Sequence, residues 1–168
     1  MLVRRLIEDD LDSVRALRLR ALRDNPEAFG STYEETLARG NEWMRQRLRS
    51  KEDETFYLGA FEGNLVGMVG YYREDSIKTR HKGYVVSMFV APESRGLGAG
   101  KALLQALIAR ARQIEGLQQL HLAVVTTNQP AYQLYRSLGF EVYGTEPRAL
   151  KSGGEYWDEH LMVLRLLP

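Results

Sequence analysis

Apolar positions along this chain change period several times, and each change predicts an element. Residues 3–7 read as a first strand. Leu11, Val14, Leu17, Ala21 and Leu22 then recur at helical spacing behind Asp9 and Asp10, either of which is placed to cap the helix. That pattern stops near Asn25 and Pro26. A less regular stretch through Phe29, Gly30, Tyr33, Glu34 and Glu35 leads into a helix over 42–48 with Trp43 on one face. The β-rich runs 56–61 and 65–72, parted by Glu62, Gly63 and Asn64, predict a hairpin. An apolar strand over 84–90 ends at Pro92 and passes through glycines into an amphipathic helix marked by Leu103, Leu104, Leu107, Ile108, Ala111 and Ile114. Residues 120–125 form the next strand, Pro130 suits the first turn of a short helix, and Gly139 ends it. Closing strands are predicted over 140–143 and 156–166. A hairpin followed by a strand-helix-strand unit gives a mixed α/β fold, α+β-like, on a partly antiparallel, twisted sheet.

With 168 residues, 44% of them hydrophobic, the chain can bury one sizeable core and is short for two. No repeat or linker-like segment interrupts it, so a single domain over 1–168 is expected. A net charge of +1 gives no global electrostatic case for nucleic acid or an anionic membrane. Arg4, Arg5, Glu8, Asp9 and Asp10 break any apolar core near the N-terminus, and a cytoplasmic protein is the expectation. The absence of cysteine excludes a disulfide framework, a thiolate metal site and an acyl-cysteine intermediate.

The strand-to-helix passage, Val90-Ala91-Pro92-Glu93-Ser94-Arg95-Gly96-Leu97-Gly98-Ala99-Gly100-Lys101, has the composition of an anion-binding turn. Glycines where a helix begins let backbone N–H groups approach a ligand without a Cβ in the way, and the helix dipole adds positive potential. Two familiar loops fail on identity. A dinucleotide fingerprint counted from Gly96 and Gly98 needs a third glycine where Lys101 stands. A nucleotidase phosphate loop needs glycine at Arg95 and a hydroxyl residue at Ala102.

Downstream stand Asn128, Ala131, Leu134, Tyr135 and the run Leu138-Gly139-Phe140. Together with Arg95-x-x-Gly98-x-Gly100 they resemble the GNAT superfamily of acetyl-CoA-dependent N-acetyltransferases, closely over 84–140. The resemblance implies a twisted, mostly antiparallel mixed sheet flanked by helices, in which two central strands splay and the pantetheine arm of acetyl-CoA lies in the gap. It implies acetyl transfer to a primary amine by direct attack in a ternary complex, with no metal. Backbone amides of Gly96, Leu97, Gly98, Ala99, Gly100 and Lys101 are then expected to face the cofactor diphosphate, with charge-assisted contacts from Arg95 and Lys101. Both side chains read equally as solvated loop charges. Met88, Phe89 and Val90 occupy the strand positions whose backbone pairs with the arm like an added strand, one of their N–H groups meeting the oxyanion. Asn128 places its amide on the arm, caps the next helix, or does both, and Ala131 and Tyr135 complete the cofactor set.

The resemblance gives Tyr135 the role of general acid toward the departing thiolate, whose conjugate acid has a pKa of about 8.5. The opposite proton is harder, since an amine of pKa about 10.4 is protonated at neutral pH. Some family members use a glutamate where Tyr84 stands here, so the base is left open among Glu34, Glu35, His121, Asp158, Glu159 and a water chain. Segments 29–43 and 141–155 with Tyr156 and Trp157 are expected to build the acceptor pocket, and their carboxylates suit a cationic amine. Lys78, Arg80, His81 and Lys82 form a basic cluster that reads as a solvated turn. A small-molecule amine is the favoured acceptor. A protein or peptide amine, and a non-catalytic acyl-CoA-binding regulatory module, are the alternatives. No nucleic acid or membrane partner is expected, and a homodimer is an open arrangement.

Overall fold

Strands β1 (Leu2–Arg5), β2 (Thr55–Glu62), β3 (Asn64–Arg73), β4 (Lys82–Val90), β5 (Gln119–Val125), β6 (Glu141–Ser152) and β7 (Glu155–Arg165) join in one sheet in the computed structural model of the chain, which describes residues 1–166. Their order is β1-β2-β3-β4-β5-β7-β6, and only the β4–β5 pair is parallel. Helices α1 (Leu11–Asp24), α2 (Tyr33–Arg39), α3 (Glu42–Arg49), α4 (Ala99–Ala111) and α5 (Gln129–Ser137) cover the two faces. Strand alternation assigns the faces: Phe56, Leu58 and Val69 join Leu103, Leu104 and Leu107 of α4, while Tyr57 and Met68 join Val14, Leu17, Met44 and Leu48 of α1 and α3. Burying both sides explains why β2 and β3 read as near-continuous apolar runs. Among the described residues no helix is long and apolar enough to cross a membrane.

Three local expectations change. Asp10 does not cap α1; its carboxylate takes both Arg4 guanidinium N–H groups at 2.8 Å and the Ile7 N–H at 2.8 Å, tying β1 to the 3-10 turn Glu8–Asp10. The irregular stretch before Glu42 contains α2, started by a capping box in which Thr32 Oγ1 accepts the Glu35 N–H and Glu35 accepts the Thr32 N–H. Finally, most of 141–155 is strand rather than connection. It pairs with β7 through a turn at Gly153 and Gly154, both with positive φ. Pro147 hides this strand from a reading by propensity, but β6 is the sheet edge, where a missing donor faces no neighbour, and the register shifts between Glu146 and Leu150 absorb it.

The feature that positions the site is where β4 and β5 stop pairing. Their ladder covers only Lys82–Tyr84 against Gln119–His121. Beyond it β4 bonds only to β3 and β5 only to β7. Ser87, with φ 54°, sits at a bulge where the β3–β4 register shifts, and the extra residue bends β4 away from its parallel neighbour.

Candidate functional site

A cavity of about 640 Å³ fills the gap between the two strands. Met88, Phe89 and Val90 line it from β4 and Val125 from β5; Arg95, Gly96, Gly98, Ala99, Gly100 and Lys101 line it from the loop and first turn of α4. Asn128, Ala131, Leu134 and Tyr135 close it from α5 and its cap. Leu97 does not line it; its side chain is 62% exposed and only its backbone belongs to the loop. Because the Ala91 N–H donates to Val66 on β3, the alternate backbone groups of Val90 and Met88 point the other way, into the gap. A strand edge left open inside a protein is a template for an amide-bearing ligand.

At the far end, the N–H groups of Gly96 through Lys101 have no acceptor among the described residues, the first α4 bond being Ala102 N–H to Gly98. Two glycines serve this row differently. Gly98 has φ 85° with nothing within 4 Å of a would-be Cβ, so its need is conformational. Gly100 lies where a Cβ would meet Leu134 Cδ2 and Met88 Cε at 3.2 Å, so its need is close packing of α4. Lys101 lines the cavity, but Arg95 is committed to the protein: its Nε donates to the Val90 carbonyl at 2.9 Å and its guanidinium lies over Phe89. Asn128 does cap α5, accepting the Ala131 N–H at 3.3 Å, which leaves its side-chain NH₂ without a partner among the described residues. Such a donor set fits a diphosphate at one end and a chain carrying amides at the other.

Tyr135 is 7% exposed and packs edge-on against Phe140 at 5.9 Å between ring centres. Its hydroxyl has no hydrogen-bond partner among the described residues, and the residue lines the cavity. Burial raises its pKa well above the usual phenol range, so the group stays protonated and keeps a proton to donate.

The base candidates separate. Glu34 is exposed on α2, and Glu35 is spent in the capping box; neither lines the cavity. His121 also lies outside it, bonded to Gln119 Oε1 at 2.8 Å and held between a tilted Tyr84 ring and an edge-on Tyr143 ring, with its pKa lowered by burial and then by Lys82 and His81. Asp158 accepts the Arg148 N–H at 2.8 Å. Glu159 does not line the cavity either, but its strand partner Val125 does; it pairs with Glu146 on its other side, and burial followed by the Glu146 charge raises its pKa. Arg80 of the basic cluster is held by Glu54 at 2.6 Å, away from the cavity lining. Trp43, Tyr156 and Trp157 do not reach the cavity either. Sequence reading missed Asn25, Glu27 and Ala28, which line it from the 3-10 turn Pro26–Ala28 beside Phe29. Pro26 marked a break there, but nothing local to the sequence says that the break lies over the gap.

Residues 16–140 match the Acetyltransferase (GNAT) family. The mycothiol acetyltransferase of Acidothermus cellulolyticus is 33% identical over 149 residues, covering 82% of this chain and 43% of that one. The L-methionine sulfoximine/L-methionine sulfone acetyltransferase of Pseudomonas aeruginosa is 40% identical over 82 residues, 49% of this chain and 47% of that one. The chain thus spans about half the length of the curated relatives it matches. Among solved structures, the ribosomal-protein-alanine N-acetyltransferase of Brucella melitensis superposes with a TM-score of 0.83 at 28% identity, covering 98% of this chain and 99% of that one.

Proposed function

The chain belongs to the acetyltransferase (GNAT) family, and from that premise we propose that it transfers the acetyl group of acetyl-CoA to the primary amine of a small molecule by direct attack within a ternary complex. The observation that carries this reading is the conjunction of an open β4 edge, a row of unpaired amides at the start of α4 and a buried, protonated phenol around one cavity. When bound, acetyl-CoA supplies an electrophilic thioester carbonyl. The Val90 N–H and the backbone of Met88 hold the pantetheine arm, the Val90 carbonyl being taken by Arg95, and the amides from Gly96 to Lys101 hold the diphosphate. The Met88 N–H, at the bulge, is the donor for the oxyanion. Tyr135 carries at its hydroxyl the proton that the departing thiolate takes. A small acceptor is favoured because relatives named for mycothiol and for methionine derivatives are among the matches, and the protein-directed relative supports the second reading, a peptide amine.

Glu159 is the base in this reading, removing the amine proton through water. Burial and then the Glu146 charge move its pKa up from the ordinary carboxylate value, toward the range suited to a base. Activity should therefore fall as pH drops through that raised value, because the protonated carboxyl accepts nothing. Glu159→Gln is expected to lower kcat/KM by roughly 100-fold and to remove that acidic limb. Wild type and variant compared on one acceptor cancel the titration of the amine itself, and an unchanged limb in the variant returns the role to another group.

The test of the function is thiol release from acetyl-CoA with free amino acids, polyamines, aminoglycosides and peptides. Turnover with a small amine is expected. Preference for peptides selects the second reading. Thermal stabilisation by acetyl-CoA with no turnover on any amine identifies a regulatory binder.

A further inference from the structure

Arg18 projects from α1 to the bulge of β4, where its Nη1 donates to Ser87 Oγ at 2.7 Å. Its Nε is buried with no hydrogen-bond partner. No carboxylate answers this charge: among the described residues Arg18, Arg39 and Arg47 form no ion pair. Instead the three guanidiniums gather on one indole, 5.0, 4.8 and 4.4 Å from the centre of the Trp43 ring. Burial lowers the pKa of Arg18; Tyr57 opposes this, and the charges of Arg47 and Arg39 lower it further. A buried cation is normally paired, because desolvation without a counter-charge is expensive, and adding two like charges to the same ring increases that expense. What the cluster lacks is an anion.

Its position says whose anion. Ser87 immediately precedes Met88, which lines the main cavity. A second space of about 10 Å³, the room of roughly one oxygen atom, lies between Arg18, Ser87, Phe29 and Phe89, and the two phenylalanines also line the main cavity. Glu27 lines that cavity as well, and Glu159 pairs with its wall. The main cavity thus carries the Glu27 carboxylate in its lining, and the Arg18 guanidinium stands behind the Phe29 and Phe89 wall that it shares with the second space.

Resting on the acetyl-transfer reading above, we infer that Arg18, backed by Arg47 and Arg39 around Trp43, anchors an anionic group of the acceptor, so that the acceptor is an amine that also carries a carboxylate or a phosphate. The planar guanidinium offers such a group two parallel N–H donors, and the charge it brings offsets a desolvation that no carboxylate among the described residues compensates. The amine of the same molecule then lies toward Glu27 and Glu159.

The test uses matched acceptors: leucine against leucinamide, and ethanolamine phosphate against ethanolamine, each at saturating acetyl-CoA. Wild type is expected to favour the anionic member of one pair, and the pair that shows it tells carboxylate from phosphate. Arg18→Gln should lose roughly 10- to 100-fold in kcat/KM on that member and less than about threefold on its neutral partner. Arg18→Lys should recover only part of the loss, since a point charge cannot reproduce the fork. Equal losses on both members overturn the inference and leave Arg18 as a support for the bulge; so does a wild type that prefers the neutral member of both pairs. Thermal stabilisation by acetyl-CoA reports whether each variant is folded. Arg47→Gln is the second variant should Arg18→Gln not fold, with a smaller loss of the same selectivity expected. If no amine is turned over although acetyl-CoA stabilises the protein, the activity reading has failed by itself. The anchor is then judged by whether leucine or ethanolamine phosphate raises the Tm of wild type but not of Arg18→Gln, and no shift with either overturns it.

Discussion

Gly98→Asp is expected to abolish acetyl-CoA binding in a protein that still folds. Gly98 holds φ 85° with open space where a Cβ would stand, so a side chain there meets no neighbour and enters the row of unpaired amides. The carboxylate would occupy the donors that the diphosphate requires and repel it as well. Backbone strain at this φ contributes roughly 1–2 kcal/mol, which Gly98→Ala isolates, since alanine adds the strain without the charge. Calorimetry on the two variants separates the terms: a large loss for Asp and a small one for Ala is the expected pattern. Unchanged affinity in folded Gly98→Asp would remove the diphosphate from this loop. Gly100→Asp is a poorer experiment, because its Cβ presses on Leu134 and Met88 and confounds binding with packing.

Tyr135→Phe is expected to slow the chemical step by roughly 10- to 1000-fold with little change in acetyl-CoA affinity. The substitution keeps the ring that packs on Phe140 and deletes only the hydroxyl, which has no partner within the described residues. Because burial holds the phenol protonated, Tyr135 should contribute no loss of wild-type activity through its own ionisation anywhere between neutral pH and the ordinary phenol pKa of about 10. Single-turnover rates at saturating amine make the comparison. Equal rates in the two proteins would reduce Tyr135 to a packing residue.

The cofactor half of this site was legible because its requirements are local. A strand, a proline, glycines at the start of a helix and an asparagine before Pro130 sit within about one supersecondary unit, where spacing along the chain fixes spacing in the fold. The capping box at Thr32 and Glu35 was equally local, and its signature was present in the sequence although the stretch reads as irregular. β6 was not legible from propensity, since a strand containing Pro147 is stable only as an edge, and edge position is a property of the whole sheet.

The acceptor half depends on contacts between distant segments, and there the sequence is nearly silent. Glu34 and Glu35 lie in the segment expected to build the acceptor pocket and yet do not line the cavity, while Glu27, eight residues before Glu35, does. His121 has suitable chemistry, but strand alternation and its bonds to Gln119 and Tyr143 keep it out of the cavity wall. Arg18 reads in sequence as one of several arginines on an amphipathic helix, and only the packing of α1 and α3 over β4 brings it to Ser87 and gathers Arg39 and Arg47 on the same ring. By itself, then, the sequence determined the family, most of the order of elements and the glycine-rich turn that opens α4, because helix-start geometry and strand period are written in neighbouring positions. Which charges face the acceptor was decided by tertiary structure alone, since that depends on how far β4 and β5 part and on which side chains the sheet's two faces leave without a partner.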